Sequence, residues 1–317
     1  MRSRYGSAGI SRIAYRLPAC RRALPELEAQ GRIASPAGVL DDFGFRSCHE
    51  IEHHDELFEL LAGAGCDLLQ DAELLSDDVG MLYLVFGLPV TRTSDDRGLL
   101  GRFRYPAARL HHELGLKRAG ALAISEQGCS GLLSTLDMAA RLLASSESPA
   151  ALCLAGDALP AGSPREIMYN LMSDAAAALL VERDSPRNRI LAFRQQTQTY
   201  YWDTPEREQE LLAAYFPMAQ RAIAACLTGA GLDVSEIDWF VPHNVSLRSW
   251  EILAKLLGIP EERVWTRNIS RIGHTISCDH AINLADMERE GALTPGDRLL
   301  LFTFGFGASW SCMILEH

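Results

Sequence analysis

The stretch Gly120-Ala121-Leu122-Ala123-Ile124-Ser125-Glu126-Gln127-Gly128-Cys129-Ser130-Gly131-Leu132-Leu133 decides how this chain is read. Five small or apolar residues make a short strand, and a long helix is predicted over 130–145, immediately after Cys129. A cysteine at that junction sits at the positive end of a helix dipole, which favours the thiolate. Gly128 and Gly131 permit the tight strand-to-helix turn on which a nucleophile is displayed. The N–H groups of such a turn also point at an oxyanion. A buried packing cysteine at a helix start is the plain alternative, and local sequence leaves both open.

Outward from this turn the chain alternates helices with short apolar strands, the pattern of an α/β protein. Helices are predicted over 55–65, 107–114, 210–229, 247–257 and 278–290. Strands are predicted over 79–86, 151–155, 237–241, near 263–266, 298–304 and 311–315, with a small apolar run at 173–181. The polar, aromatic stretch 194–208 reads as a connection between halves. A faint repeat appears as Gly63-Ala64-Gly65-Cys66-Asp67 and Gly229-Ala230-Gly231-Leu232-Asp233, each expected to end a helix before a strand. Cys129 and His274 likewise each follow a strand and a loop and precede a helix. Two copies of one α/β unit account for both length and order.

The 317 residues suggest two modules. With 30 Lys+Arg against 41 Asp+Glu the net charge is −11, which argues against a general nucleic-acid binder. No apolar run approaches a membrane span, and the polar start, with Arg2, Arg4 and Arg12, lacks a secretory h-region, so a cytoplasmic location is expected. The eight cysteines are dispersed without a C-x-x-C pair, so most are expected to be buried free thiols. Asn244-Val245-Ser246 and Asn268-Ile269-Ser270 are then chance matches to the glycosylation pattern.

Three further segments carry candidate chemistry. Ile237 to Val241 is an apolar strand that delivers Pro242-His243-Asn244 past its C-terminal end, where α/β sheets place their chemistry. Arg271-Ile272-Gly273-His274-Thr275-Ile276-Ser277 is a glycine-histidine loop leading into a helix. Phe304-Gly305-Phe306-Gly307-Ala308-Ser309-Trp310 is a glycine-rich turn without the spacing or lysine of a nucleotide loop. A literal HExxH, His49-Glu50-Ile51-Glu52-His53, would hold zinc if helical, but the segment is densely charged and no third ligand is evident. No metal site and no cofactor are expected.

Together these segments resemble the β-ketoacyl-acyl-carrier-protein synthase III family of thiolase-fold enzymes. VPHNVSLR (241–248) stands where the family has VPHQANLR, RIGHTIS (271–277) for RHGNTSA, FGFGASW (304–310) for FGGGFTW, and QGCSG (127–131) for AACAG or AACSG. The resemblance implies an α/β thiolase fold of two duplicated βαβαβ halves in a five-layer α-β-α-β-α arrangement. Residues 1–190 are then the half carrying the nucleophilic cysteine, and 191–317 the half carrying two histidines. It makes Cys129 the acyl-accepting nucleophile and His243 the histidine of the second half-reaction. It makes the backbone N–H groups of Cys129 and Phe306 the oxyanion hole. His274 replaces the family's asparagine, giving a Cys129, His243, His274 set like that of the elongating ketosynthases, in which two neutral imidazoles stabilise an enolate.

Other departures bear on the substrate. Leu171-Met172-Ser173-Asp174-Ala175-Ala176-Ala177 replaces FGDGAGA, and the tryptophan that stacks on coenzyme A's adenine is missing before Gly44-Phe45-Arg46. The resemblance therefore points to an acyl thioester on an acyl carrier protein in preference to coenzyme A, with Arg248 and Lys255 at the docking positions. From His243 to Arg271 five basic residues face three acidic ones, suited either to an acidic carrier or to a solvated helix face. Glu126 replaces a small or amide residue and is either an extra base or surface-paired. Pocket walls are expected from the loops 95–104 and 194–208, and a homodimer from joined sheets.

The leading expectation is loading of an acyl group on Cys129 and decarboxylative Claisen condensation with a malonyl-type thioester, in a specialised fatty-acid, polyketide or secondary-metabolite pathway. The alternatives are acyl transfer from Cys129 to an oxygen or nitrogen acceptor without decarboxylation, and a non-catalytic ketosynthase-like partner subunit.

Overall fold

The computed structural model describes residues 4–53, 55–71, 76–88 and 103–317. In chain order these form β1 (Gly9–Arg16), β2 (Cys20–Ala23), α1 (Leu24–Ala29), α2 (Ala37–Asp42), β3 (Ser47–Glu50), α3 (Glu56–Asp71), β4 (Val79–Val85), α4 (Pro106–Glu113) and β5 (Gly120–Ile124). Next come α5 (Gly131–Ser145), β6 (Ala150–Asp157), the short β7 (Glu166–Ile167) and β8 (Asn170–Leu171), β9 (Ala175–Glu182) and β10 (Arg189–Thr197). The chain closes with α6 (Glu208–Ala230), β11 (Trp239–Pro242), α7 (Leu247–Leu257), α8 (Arg267–Arg271), α9 (Asp279–Arg289), β12 (Arg298–Gly305) and β13 (Ser309–Glu316).

The large sheet runs β11-β12-β13-β10-β1-β9-β6-β4-β5. Counted by occurrence, β5-β4-β6-β9-β1 is third, second, fourth, fifth, first. The other half repeats that order as β11-β12-β13-β10, with Val264 bridging parallel to Phe240 at the edge where a third strand would stand. The strand expected near 263–266 is thus reduced to one bridge. The halves meet where Gly9 pairs with Arg189, and a Cβ on Gly9 would lie 2.7 Å from the Arg189 Cα. Only glycine fits that crossing.

The apolar clusters define five layers. Helices α3 and α4 cover the outer face of the first half through Leu61, Leu68 and Leu110. Helices α5 and α9 lie between the halves, with Leu132, Leu136, Ala281 and Leu284 packed against strands of both. Helices α6 and α7 cover the outer face of the second half through Ile223, Cys226 and Leu253. Fully burying such aliphatic side chains contributes roughly 1.5–3 kcal/mol each. This is the thiolase arrangement.

Several local readings change. Gly63 and Gly65 lie inside α3 instead of ending it, because they are contact glycines: a Cβ on Gly63 would meet the Arg16 guanidinium at 2.3 Å, and one on Gly65 would meet Leu114 at 2.9 Å. Gly231 does end α6, in the left-handed conformation. Residues 194–197 belong to β10, so the boundary drawn at 190/191 falls inside a strand. Of the loop 95–104, residues 95–102 lie outside the described residues. One helical span among the described residues, 205–230, is long and apolar enough to cross a membrane by length and composition alone, and it carries the α6 core face, Met218, Ala222, Ile223 and Cys226.

Candidate active site

Strand β5 ends at Ile124, and the chain reverses through Glu126 (φ 67°) and Gly128 (φ 50°) into a tight 3-10 turn over 128–130. Cys129 therefore stands at the start of α5, buried at the floor of a cavity. Gly128 is required twice, by its left-handed backbone and because a Cβ there would lie 2.7 Å from the Phe306 amide nitrogen. Gly305 is required as strictly, since its Cβ would meet Gln127 O at 2.2 Å. The end of β12 and the turn after it thus pack backbone to backbone against the Cys129 turn, beside the amides expected to form the oxyanion hole.

His274 is held by backbone bonds on both sides: its N–H donates to Leu171 O at 2.8 Å, and its carbonyl accepts from Ser173 N at 2.8 Å. Its Nε2 lies 3.3 Å from Cys129 Sγ, and its Nδ1 lies 2.5 Å from Asp279 Oδ2. The other Asp279 oxygen accepts from Thr275 N at 2.7 Å and Thr275 Oγ1 at 2.6 Å, while Oδ2 also accepts from Asn244 N at 2.6 Å. Burial alone would push the His274 imidazole down, but the Asp279 carboxylate and the Cys129 sulfur hold it well above its ordinary value. Asp279, despite burial, stays below the usual carboxylate range because of His274 and Thr275. It is the first residue of α9, where the helix dipole favours an anion.

His243 follows β11 and is buried, 1% exposed, with both ring nitrogens lacking a hydrogen-bond partner among the described residues. Its carbonyl accepts from Trp250 Nε1 at 3.0 Å, and the ring stands edge-on to Phe302, Trp250 and His274, with 6.0 Å between the two imidazole centroids. Burial, then the neighbouring His274 and His280, push His243 well below the ordinary histidine range. The two imidazoles are therefore opposite in character. Two neutral rings were expected; burial pushes His243 down, whereas the Asp279 carboxylate and the Cys129 sulfur pull His274 up. The linkage Cys129–His274–Asp279 was not foreseen. Its only signal is an acidic residue five positions after His274, which reads as an ordinary helix-start aspartate.

The cavity holds about 520 Å³ and is lined mainly by apolar side chains from both halves. Leu211, Leu212, Tyr215 and Phe216 come from the first turns of α6, ahead of Pro217, while Met168 and Asn170 come from the β7–β8 hairpin. Val245 precedes α7 and Ser249 lies in its first turn, and Met172 and Ile276 stand beside Cys129. Glu126 also lines it, and no lysine or arginine does among the described residues. Glu126 and Ile276 both have positive φ, which costs on the order of 1–3 kcal/mol for a side-chain-bearing residue and is characteristic of functional sites. Arg248 and Lys255 are exposed on α7, with Glu251 and Glu261 as partners at 2.9 and 4.0 Å. Of the other three basic residues in that region, Arg263 donates to Ile237 O, while Arg267 and Arg271 pair with Glu290 and Asp286.

The HExxH segment is not helical, which removes the geometry zinc would need. His49 and Glu50 lie in β3, and Glu50 is clamped by Arg32 at 2.7 and 2.8 Å. Although burial opposes it, Arg32, the Gly162 amide and Arg165 hold Glu50 down at about 2, a structural carboxylate. Among the described residues no group of three His, Cys, Asp or Glu side chains is placed to hold a metal. Asn244 and Asn268 are buried, which excludes them as glycan acceptors.

Comparison with known proteins identifies the family and agrees with the fold. The family described as 3-oxoacyl-[acyl-carrier-protein (ACP)] synthase III matches residues 125–199, and its C-terminal counterpart matches 227–317, together more than half the chain. The chain belongs to the β-ketoacyl-acyl-carrier-protein synthase III family. It is thus a ketosynthase III-type, acyl-transferring enzyme on a thiolase fold. The synthase III of Porphyra purpurea is 24% identical over 302 residues, covering 86% of this chain and 88% of that protein. The synthase III of Synechocystis sp. is 27% identical over 302 residues, covering 86% and 87%. Among solved structures, the synthase III of Aquifex aeolicus has a TM-score of 0.84 at 22% identity over 98% of this chain and 100% of that one. The acyltransferase ChlB3 has 0.84 at 18%, over 98% and 97%. OleA of Xanthomonas campestris has 0.82 at 19%, over 99% of each chain.

Proposed function

We propose that this protein transfers an acyl group from a thioester to Cys129 and then to an oxygen or nitrogen acceptor. The observation that carries the proposal is the His274 ring set between Cys129 Sγ and Asp279. In the first half-reaction the Cys129 sulfur attacks the thioester carbonyl, and the donor's C–S bond breaks. His274 Nε2 returns its proton to the departing thiolate. In the second, the acceptor X–H gives its proton to the same nitrogen as X attacks the acyl carbonyl, and the C–Sγ bond breaks. Asp279 sustains the basicity of His274 after the sulfur has been acylated. The amides of Cys129 and Phe306 receive the carbonyl oxygen as negative charge develops.

Decarboxylative condensation is the second reading, favoured by the unpartnered nitrogens of the neutral His243, which suit an enolate oxygen. The two are separated by incubating the enzyme with acyl and malonyl thioesters. Acylated Cys129 with an ester or amide product and no carbon dioxide supports transfer; stoichiometric carbon dioxide release supports condensation. A chain that never acylates Cys129 with any donor is a non-catalytic partner.

The donor in this reading is an acyl group on an acidic carrier protein, since Arg248 and Lys255 stand exposed on α7 while the cavity lining has, among the described residues, no lysine or arginine for a nucleotide's phosphates. The enzyme works as a homodimer joined through β5, an outer strand of the sheet whose first four residues are exposed.

A further inference from the structure

Ile276 is a β-branched residue held at φ 61°, where such residues are genuine outliers. Its side chain is buried against Cys129 and Met172, with Leu88 and Ile167 completing an apolar cup around the sulfur. Space for it is made from the other side, because a Cβ on Gly87 would lie 2.4 Å from Ile276 Cγ2. The unfavourable backbone is locked by neighbours. Asp279 binds Thr275 on one side, and Asp157 binds Ser277 on the other, accepting from Ser277 N at 3.1 Å and Ser277 Oγ at 2.5 Å. The same Asp157 carboxylate accepts from Gly87 N at 3.2 Å and Leu88 N at 2.8 Å. One buried carboxylate therefore fixes both Ile276 and the wall facing it. Glycine would fit the backbone at 276 without strain, so the side chain itself is what this position retains.

We propose that Ile276 is a specificity-determining residue that sets the size of the apolar acyl group held on Cys129. The proposal rests on the acyl-enzyme reading given above. The cup of Ile276, Met172, Leu88 and Ile167 receives the acyl chain, and the fixed Gly87–Ile276 contact closes its depth.

The test uses alkyl methanethiosulfonates from methyl to decyl on the full-length protein. The Cys129 thiolate displaces methanesulfinate and forms a mixed disulfide, so labelling does not depend on acyl transfer. Rates at Cys129 are read by peptide mass in the wild type, Ile276→Ala and Ile276→Gly, the last of which also relieves the backbone. The expected result is a wild-type rate that falls steeply with chain length. Both variants should gain about tenfold or more for octyl relative to methyl, compared with the wild type. Identical chain-length profiles in all three proteins overturn the proposal, as does an equal rise for methyl and octyl, which would signify general loosening. Loading from acyl thioesters on the same samples reports separately on the acyl-enzyme reading.

Discussion

His274 Nδ1 and Asp279 Oδ2 lie 2.5 Å apart, both buried, on the side of the ring away from the Cys129 sulfur. This contact separates the site from one built on two neutral donors. Asp279→Asn removes the charge that holds His274 up, so its protonated form is lost at lower pH and the thiol proton has no strong acceptor near neutrality. Acylation of Cys129 at pH 7 should fall roughly a hundredfold or more. Alkylation of Cys129 by iodoacetamide should move its pH midpoint upward. An unchanged alkylation profile would remove Asp279 from the mechanism.

The Gly305 position tests the oxyanion hole. Gly305→Ala places a Cβ against Gln127 O and near the Ser130 and Cys129 amides, all backbone. The turn must open, moving the Phe306 amide away. Losing one oxyanion donor costs on the order of 10²–10³-fold. The outcome is read as turnover at full substrate saturation, with Cys129 alkylation by a small reagent nearly preserved.

Burial pushes the His280 imidazole down to about 4, its Nε2 lying 3.1 Å from Phe302 O. A histidine depressed in the folded state binds protons in the unfolded chain first, between pH 6.5 and 4. Stability from this group is intact above that window and declines as pH falls through it, by roughly 3 kcal/mol in total. His280→Gln should therefore flatten the acid side of the Tm–pH curve. Parallel curves for the two proteins would count against this assignment.

Carrier docking is separable from chemistry. Arg248→Glu reverses an exposed charge one residue before Ser249 of the cavity wall. KM for a carrier-bound donor should rise about tenfold while kcat, and all parameters for a small synthetic thioester, hold steady. Equal effects on both donors would relocate the role of Arg248 to the cavity.

Leu122 is exposed in the middle of β5. A charge there opposes edge-to-edge pairing with a second copy. Leu122→Lys should move the protein from dimer to monomer in light scattering at micromolar concentration, whereas a wild type that is already monomeric would refute the pairing.

Much of this was legible because it is encoded in local pattern. The apolar runs of β4, β6 and β12 and the helix after Cys129 are recognisable from composition and period alone. β1 was not, because Gly9–Arg16 carries Arg12 and Arg16 and owes its strand state to pairing with β9, 160 to 173 residues away along the register. The polar end of β10 was hidden for the same reason: Gln195 is satisfied by Ser134 and Ser309, partners that no local window contains. Cys129, His243 and His274 were each readable from their motifs. Asp279 was not, because its role depends on a distance, and Ile276 looks like any apolar residue until its backbone angle is known.

Cys129 belongs to the first half of the fold, whereas His243, His274 and Asp279 belong to the second. The 3.3 Å contact between Cys129 and His274 is therefore a gauge of how firmly the halves are seated on each other. A slip of about an ångström at that seam disarms the sulfur while every helix and strand survives. Catalytic competence should thus fade on warming or in mild denaturant well before the circular dichroism does, and return as soon as the two halves reseat.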